Sequence, residues 1–93
     1  MHQITMIKIE KILNLLKARG GQPIHLRGIE KTLKIHPQTI TRILDNYLAY
    51  FIETKIIEQY GFKARLVWLK PGRETTTLDD VLRYYEVKKK IRI

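Results

Sequence analysis

Apolar and polar positions alternate along the chain in patterns that predict four helices and one pair of strands. Between residues 4 and 18, apolar side chains recur every three or four positions and predict a first helix, which Gly20 and Gly21 end. Its apolar positions are Met6, Ile9, Leu13 and Leu16, broadened by Ile4, Ile12 and Leu15. So wide a stripe on a terminal helix indicates either a subunit contact or a helix sunk in its own core.

Residues 25–49 predict two short helices joined by a tight turn. In the first, Leu26, Ile29 and Leu33 fall on one face. The second begins at Pro37, because a proline at the first helical position loses no hydrogen bond and has its φ already set. Its apolar stripe consists of Ile40, Ile43, Leu44, Tyr47 and Leu48.

The rest of the chain predicts a β-hairpin and a last helix. Residues 51–59 and 64–69 mix β-branched with polar residues and predict two strands around a loop at 60–63. Residues 22–24 predict a short extended segment. A helix is expected from about residue 77 to 90, with Thr77 as its cap and Asp80 completing a near capping box. Its apolar positions are Leu78, Val81, Leu82 and Tyr85.

The helix pair resembles the helix-turn-helix of winged-helix DNA-binding proteins of the MarR-like and ArsR-like kind. The resemblance lies in Leu26, Ile29, Leu33 and Ile35, followed by Thr39-Ile40-x-Arg42-Ile43-Leu44. It implies an α+β winged helix-turn-helix fold with a three-helix core, a β-hairpin wing over about 51–70 and an extra C-terminal helix. All 93 residues form one domain in this interpretation. The family often has glycine in the turn, where this chain has Lys34.

The resemblance also implies where DNA would bind. The second helix of the pair would enter the major groove, and the wing would touch the adjacent backbone or minor groove. Arginine can bind guanine or phosphate, and glutamine can read adenine. Wing lysines and arginines are expected to meet phosphates, with Lys63 and Arg65 near the wing tip, where Tyr60 and Phe62 either pack or touch a groove. The expected DNA-binding residues are His36, Gln38, Thr39, Thr41, Arg42, Lys55, Lys63 and Arg65.

Charge and composition agree with a polyanionic partner. The formal net charge is +9, from 18 lysines and arginines against 9 aspartates and glutamates. A small, strongly basic chain favours nucleic acid first and an anionic membrane surface second. The Lys88–Lys90 run, with Arg92, either contacts such a partner or forms a solvated helix end. The first residues carry charges at Lys8, Glu10 and Lys11, so neither a signal peptide nor a membrane span is expected.

Catalysis and metal binding are not expected. The chain has no cysteine and no serine, and His2, His25 and His36 do not have the spacing of metal ligands. We therefore expect no enzyme activity, no cofactor and no metal; His25 and His36 suit helix caps or phosphate contacts. The expected location is the cytoplasm, associated with the nucleoid, and the bias toward isoleucine and lysine hints at an archaeal or viral source.

Three functions follow from these features. The first is a sequence-specific transcriptional regulator that binds double-stranded DNA as a homodimer through helix 1 and the C-terminal helix. The second is an architectural protein that coats DNA through phosphates with little sequence preference. The third is a winged-helix module for protein interaction, against which the +9 charge argues.

Overall fold

The computed structural model describes residues 2–59 and 61–91. Within them, the chain is α+β, with four α-helices and a three-stranded antiparallel sheet. The predicted elements all form, with small shifts of their ends. In chain order the elements are α1 (Gln3–Ala18), β1 (Ile24–His25), α2 (Leu26–Leu33), α3 (Pro37–Ile43), a π-turn (Leu44–Leu48), β2 (Ile52–Gln59), β3 (Phe62–Leu69) and α4 (Leu78–Ile91).

Helix α1 packs one side into the core and leaves its first turns exposed. Ile12, expected on a broad outer surface, is wholly buried, so that interpretation was wrong for this residue. It lies beside Leu13 and Leu16 in the helical repeat and shares their face. Ile4 and Ile7 are the exposed large apolar residues of α1.

Helices α2 and α3 meet across a turn centred on Lys34. This residue takes the left-handed conformation, with φ 58° and ψ 40°, which glycine adopts more readily than a residue with a Cβ. The predicted second helix reaches the expected end, but its last part is a π-turn, Leu44–Leu48, instead of α-helix. A π-turn adds a residue per turn. Leu44 and Leu48 are nevertheless fully buried, as their positions in the stripe predicted.

The sheet has the strand order β1-β3-β2. Ile24 pairs with Val67, and β2 pairs with β3 along its whole length, from Ile52 opposite Leu69 to Gln59 opposite Phe62. The predicted loop at 60–63 was therefore too long: Phe62 and Lys63 belong to β3. Because β1 has only two residues, the distal part of the β2–β3 hairpin extends beyond it.

Helix α4 closes the core from the C-terminal side. The capping box forms as predicted: the Thr77 N–H donates to the Asp80 carboxylate at 3.0 Å, and the Asp80 N–H donates to the Thr77 hydroxyl at 3.2 Å. Val81 was expected on an outer surface, but it is wholly buried. The core consists of Ile9, Ile12, Leu13, Leu16, Ile24, Ile29, Ile35, Ile40, Ile43, Leu44, Leu48, Phe51, Ile52, Val67, Leu69 and Val81.

Candidate nucleic-acid interface

Helix α3 starts at a histidine cap. The His36 Nδ1 accepts a hydrogen bond from the Gln38 N–H at 3.2 Å, and Pro37 occupies the first turn. An acceptor at this position satisfies one of the N–H groups that the first turn leaves unpaired. Because Nδ1 is the acceptor, a neutral His36 ring carries its proton on Nε2. His36 is therefore a cap, and its Nε2–H remains as a donor on an exposed ring.

The face of α3 opposite the core carries the predicted DNA-binding residues. Gln38 and Arg42 are exposed and stand one helical turn apart, which puts both on one side of the helix. Thr39 and Thr41 are only partly exposed, because they flank the buried Ile40. Gln38 and Arg42 are thus the two α3 side chains with the longest reach into solvent.

An ion pair joins the end of this helix to the hairpin. The Arg65 Nη2 lies 2.9 Å from the Asp45 Oδ1. The Arg65 Nε donates to the Thr54 hydroxyl at 2.9 Å, and that hydroxyl donates to the Leu66 carbonyl at 3.0 Å. These contacts hold β3 against the π-turn that follows α3. We call the resulting surface, made of Gln38, Thr41, Arg42, Asp45 and Arg65, the α3–hairpin surface.

The hairpin cations do not share one face, and Arg65 is not where we expected it. Arg65 pairs with Ile56, away from the turn, so its placement near the hairpin tip was wrong. Lys55 pairs with Leu66, whereas Arg65 and the buried Val67 lie on the other face of β3. Successive residues of a strand point to opposite faces, so Lys55 points away from the core side. Lys63 lies on the same face as Arg65 and next to the turn, as expected.

The sequence did not reveal that Asp45 is the partner of Arg65. Asp45 was visible as a polar residue on the outer face, but the two are 20 residues apart, and their pairing depends on strand register and on the π-turn. The position of Arg27 was also missed. This exposed residue of α2 lies beside the distal part of β3, and only the sheet topology brings it there.

The first helix of the pair is held at its N-terminal end. The His25 Nδ1 accepts from the Gly28 N–H at 3.0 Å, so the expected cap forms. A Cβ at Gly28 would lie 3.0 Å from the Ile24 Cγ1 and 3.3 Å from the His25 Nδ1. Glycine at position 28 thus lets β1 and its histidine cap approach α2 closely. That contact fixes the position of α2 beside β3.

Aromatic side chains attach α4 to the end of the π-turn. The rings of Tyr50 and Tyr84 stack with centroids 4.3 Å apart, and those of Tyr47 and Tyr85 lie 4.7 Å apart. Burial is the main cause that raises the pKa of Tyr47 above its ordinary value, with Tyr85 adding to it. Arg73 donates to the Tyr50 hydroxyl at 3.0 Å and lies over its ring. We call these contacts the aromatic seam.

Residues 2–59 and 61–91 contain no cluster of three or more histidine, cysteine, aspartate or glutamate residues arranged to hold a metal ion. No helix in the same residues has the length and apolar character needed to cross a membrane. Tyr60, a candidate for groove contact, and Arg92 lie outside the described residues. No protein-family model matches the sequence, and no curated protein or solved structure matches it either.

Proposed function

We propose that this chain is a winged-helix protein that binds double-stranded DNA and regulates transcription. The observation that carries the proposal is the Asp45–Arg65 ion pair. It places the hairpin beside the exposed face of α3, so that Gln38, Arg42 and the hairpin form one surface. In this proposal α3 is the recognition helix, the hairpin is the wing, and duplex DNA lies across both.

The charge of the chain supports a nucleic-acid partner. The excess of nine positive charges is large for 93 residues. Arg42 is exposed on the α3–hairpin surface, and Lys63 extends from the hairpin beside its turn. Cations at these two places suit a partner whose phosphates run past both the helix and the wing. Asp45 keeps Arg65 in place, so Arg65 acts in this proposal chiefly by positioning the wing.

The proposed roles separate reading from positioning. Gln38 and Arg42 extend from the recognition helix and have the chemistry to bind adenine and guanine edges. Lys63 is a single charge on a flexible stem and suits a phosphate oxygen. His36 caps α3 through Nδ1, which leaves its Nε2–H for a phosphate contact.

We further propose that the protein binds DNA as a homodimer. The apolar residues most exposed at the two ends of the chain are Ile4 and Ile7 in α1 and Val87 and Ile91 in α4. Helices α1 and α4 contact each other, so these residues belong to neighbouring elements. A two-fold contact through them would present two recognition helices to half-sites about 34 Å apart.

Two substitutions test the proposal on selected and random duplexes. A site is first selected from a random DNA pool with the wild-type protein. Arg42→Ala should then weaken binding to the selected site by about 1–3 kcal/mol more than binding to random DNA, because it removes a contact to a base. Lys63→Ala should weaken both equally and lower the slope of log K against log salt by roughly 0.9.

Lys11→Ala is the matched control, since it removes the same charge from an exposed position on α1. It should change the affinities far less than Lys63→Ala does. If the wild-type protein fails to bind either duplex at low salt, the proposal is wrong. If Arg42→Ala weakens both duplexes equally and flattens the salt slope, Arg42 is a phosphate contact. The architectural function would then replace the sequence-specific one.

A further inference from the structure

A groove lies between the start of α2 and the distal part of β3. Its volume is about 520 Å³, and His25, Leu26 and Arg27 form one wall while residues 62–65 form the other. The groove exists because β1 ends at His25, which pairs with Leu66, and the chain then turns away into α2. Beyond that point β3 has β2 on one side and the groove on the other.

The side of β3 that faces the groove is an open strand edge. Within residues 2–59 and 61–91, Ile24 and His25 are the only residues paired with β3 on this side, opposite Val67 and Leu66. A strand edge carries both N–H donors and C=O acceptors in alternation. Another strand can satisfy both kinds of group, whereas a phosphate backbone offers no N–H to the carbonyls. The edge therefore favours a peptide over a nucleic acid.

The side chains along this edge alternate in chemistry. Phe62, which is 79% exposed, and Ala64 lie on one face of β3, and Lys63 and Arg65 lie on the other. Arg27 adds a positive charge from the opposite wall. Two carboxylates lie near these cations: Asp45 pairs with Arg65, and Glu58 stands opposite Lys63 on β2. Among the described side chains, the only ion pair is that of Arg65, so the groove keeps an excess of positive charge.

We propose that this groove binds an extended acidic peptide, which adds to the sheet as a strand in line with β1. The peptide alternates acidic with apolar residues. Those on the face of Lys63 meet a cation that has no ion-pair partner among the described side chains, and those opposite Phe62 and Ala64 meet apolar surface. Main-chain hydrogen bonds supply the affinity, and the alternation supplies the specificity. This site goes beyond the proposed function; it shares Lys63 with the proposed DNA surface but does not depend on DNA binding.

The test uses a fluorescently labelled eight-residue peptide in which glutamate alternates with valine. Binding to the full chain is followed by fluorescence anisotropy, and the contacted residues by amide chemical shifts in NMR. We expect shifts confined to residues 25–27 and 62–65. A peptide of the same composition with its four glutamates together should bind at least about five-fold more weakly, since it cannot match the alternation.

Backbone methylation tests the strand pairing itself. The N–H groups of a strand point alternately to its two edges, so two peptides are made, methylated at the odd or at the even residues. Only one of these two edges faces β3. One methylated peptide should therefore bind about as well as the unmodified peptide, and the other should lose at least about ten-fold in affinity. Equal binding of both versions would overturn the proposal.

Charge reversal in the protein provides the last comparison. Lys63→Glu and Arg27→Glu should each lower the affinity for the peptide about five-fold. Lys55→Glu, on the outer face of β2, should change that affinity little. If the peptide does not bind at low salt, or shifts other residues, the groove is not a peptide site. If duplex DNA shifts the amide signals of residues 25–27 and 62–65 and the peptide does not, the groove binds DNA and the proposal is wrong.

Discussion

Asp45 is the only acidic residue between His36 and Ala49, and it stands on the surface where we place DNA. A carboxylate there repels phosphates, so its presence needs a compensating role. The ion pair with Arg65 supplies that role, because it fixes the hairpin to the π-turn. Both side chains are partly exposed, at 52% for Asp45 and 22% for Arg65. Such a pair contributes little stability and serves mainly to orient the two elements.

Asp45→Asn separates orientation from stability. The free energy of unfolding should fall by less than about 1 kcal/mol, because the pair is partly exposed. Released from its partner, Arg65 should reach a phosphate, so that random DNA binds more tightly and the salt slope steepens by up to roughly 0.9. Denaturation by urea and affinity at several salt concentrations measure the two effects.

Glu10→Gln is the control, since it removes one negative charge from an exposed position on α1. It should raise DNA affinity less than Asp45→Asn does and leave the salt slope unchanged. An equal effect of the two substitutions would mean that only net charge changed, and that Arg65 gained no contact.

Lys34 occupies a backbone conformation that costs a side chain energy. At φ 58° a residue with a Cβ is strained by about 1–2 kcal/mol, and glycine is not. Relief of this strain is partly offset, because glycine makes the unfolded chain more flexible. Lys34→Gly should therefore raise the free energy of unfolding by about 0.5–1 kcal/mol.

Chemical denaturation measures this change, with Lys31→Gly as the matched control. Lys31 is an exposed lysine inside α2, where glycine should destabilise by about 1 kcal/mol. The two substitutions remove the same side chain and should change the free energy of unfolding in opposite directions. A loss of stability in both would show that the Lys34 side chain makes a contact worth more than its strain.

At the scale of the element, the helices α2, α3 and α4 each begin at a side-chain cap. His25 and His36 cap α2 and α3 through Nδ1, while Thr77 and Asp80 cap α4 reciprocally. The hydrogen bond from the Thr77 N–H is the main cause that holds the pKa of Asp80 below its ordinary value of 3.8, and the Thr77 hydroxyl adds to it. The cap of α4 is thus coupled to the ionisation of Asp80.

This coupling predicts how stability depends on pH. A carboxyl group whose pKa is lowered in the folded state stabilises the fold above its unfolded pKa. The contribution disappears as pH falls through the lower folded value. The difference in melting temperature between wild type and Asp80→Asn should therefore shrink as pH falls through and below the ordinary pKa of 3.8.

Asp79→Asn is the control, because Asp79 neighbours the cap and accepts no hydrogen bond from a described donor. The difference in melting temperature between wild type and Asp79→Asn should change less over the same pH range. Parallel pH dependence in the two variants would show that the Asp80 cap does not contribute measurably to stability.

The elements were largely predictable, and their junctions were not. Apolar repeats identified all four helices, because burial on one face leaves a regular spacing in the sequence. The capping box at Thr77 was likewise readable from residue types alone. The position of Lys55 depends on strand register, and the start of β3 at Phe62 depends on how far the pairing with β2 extends. Neither property leaves a local signal, since both are decided by pairing with distant residues.

At the scale of the whole molecule, α4 belongs to the core as well as to the outer surface. Val81 is fully buried, and Tyr84 and Tyr85 form the aromatic seam. Removing α4 would therefore expose core residues in addition to any subunit contact. Point substitutions of exposed residues are the cleaner test of the proposed dimer.

Ile7→Glu and Val87→Glu should each convert the protein to a monomer. Both residues are about half exposed, at 48%, so a charge there should leave the fold intact and oppose an apolar contact. Sedimentation at tens of micromolar measures the oligomeric state, and circular dichroism checks the fold. The monomers should also lose affinity for DNA with two half-sites.

Ile56→Glu is the control, because Ile56 is equally apolar and more exposed but lies on the hairpin. It should leave the oligomeric state unchanged. Sedimentation of the wild-type protein as a monomer would remove the dimer from the proposed function and leave DNA binding by α3 to be tested separately.

The hydrogen bond across the hairpin gives the molecule an intrinsic optical probe. Trp68 is the only tryptophan of the chain, and its Nε1 donates to the Glu53 Oε2 at 2.9 Å. Four of the five tyrosines, Tyr47, Tyr50, Tyr84 and Tyr85, instead form the aromatic seam between the π-turn and α4. Tryptophan emission therefore follows the hairpin, while tyrosine bands in near-ultraviolet circular dichroism follow the docking of α4. Coincident unfolding curves from the two signals would identify hairpin and α4 as one cooperative unit, without any label.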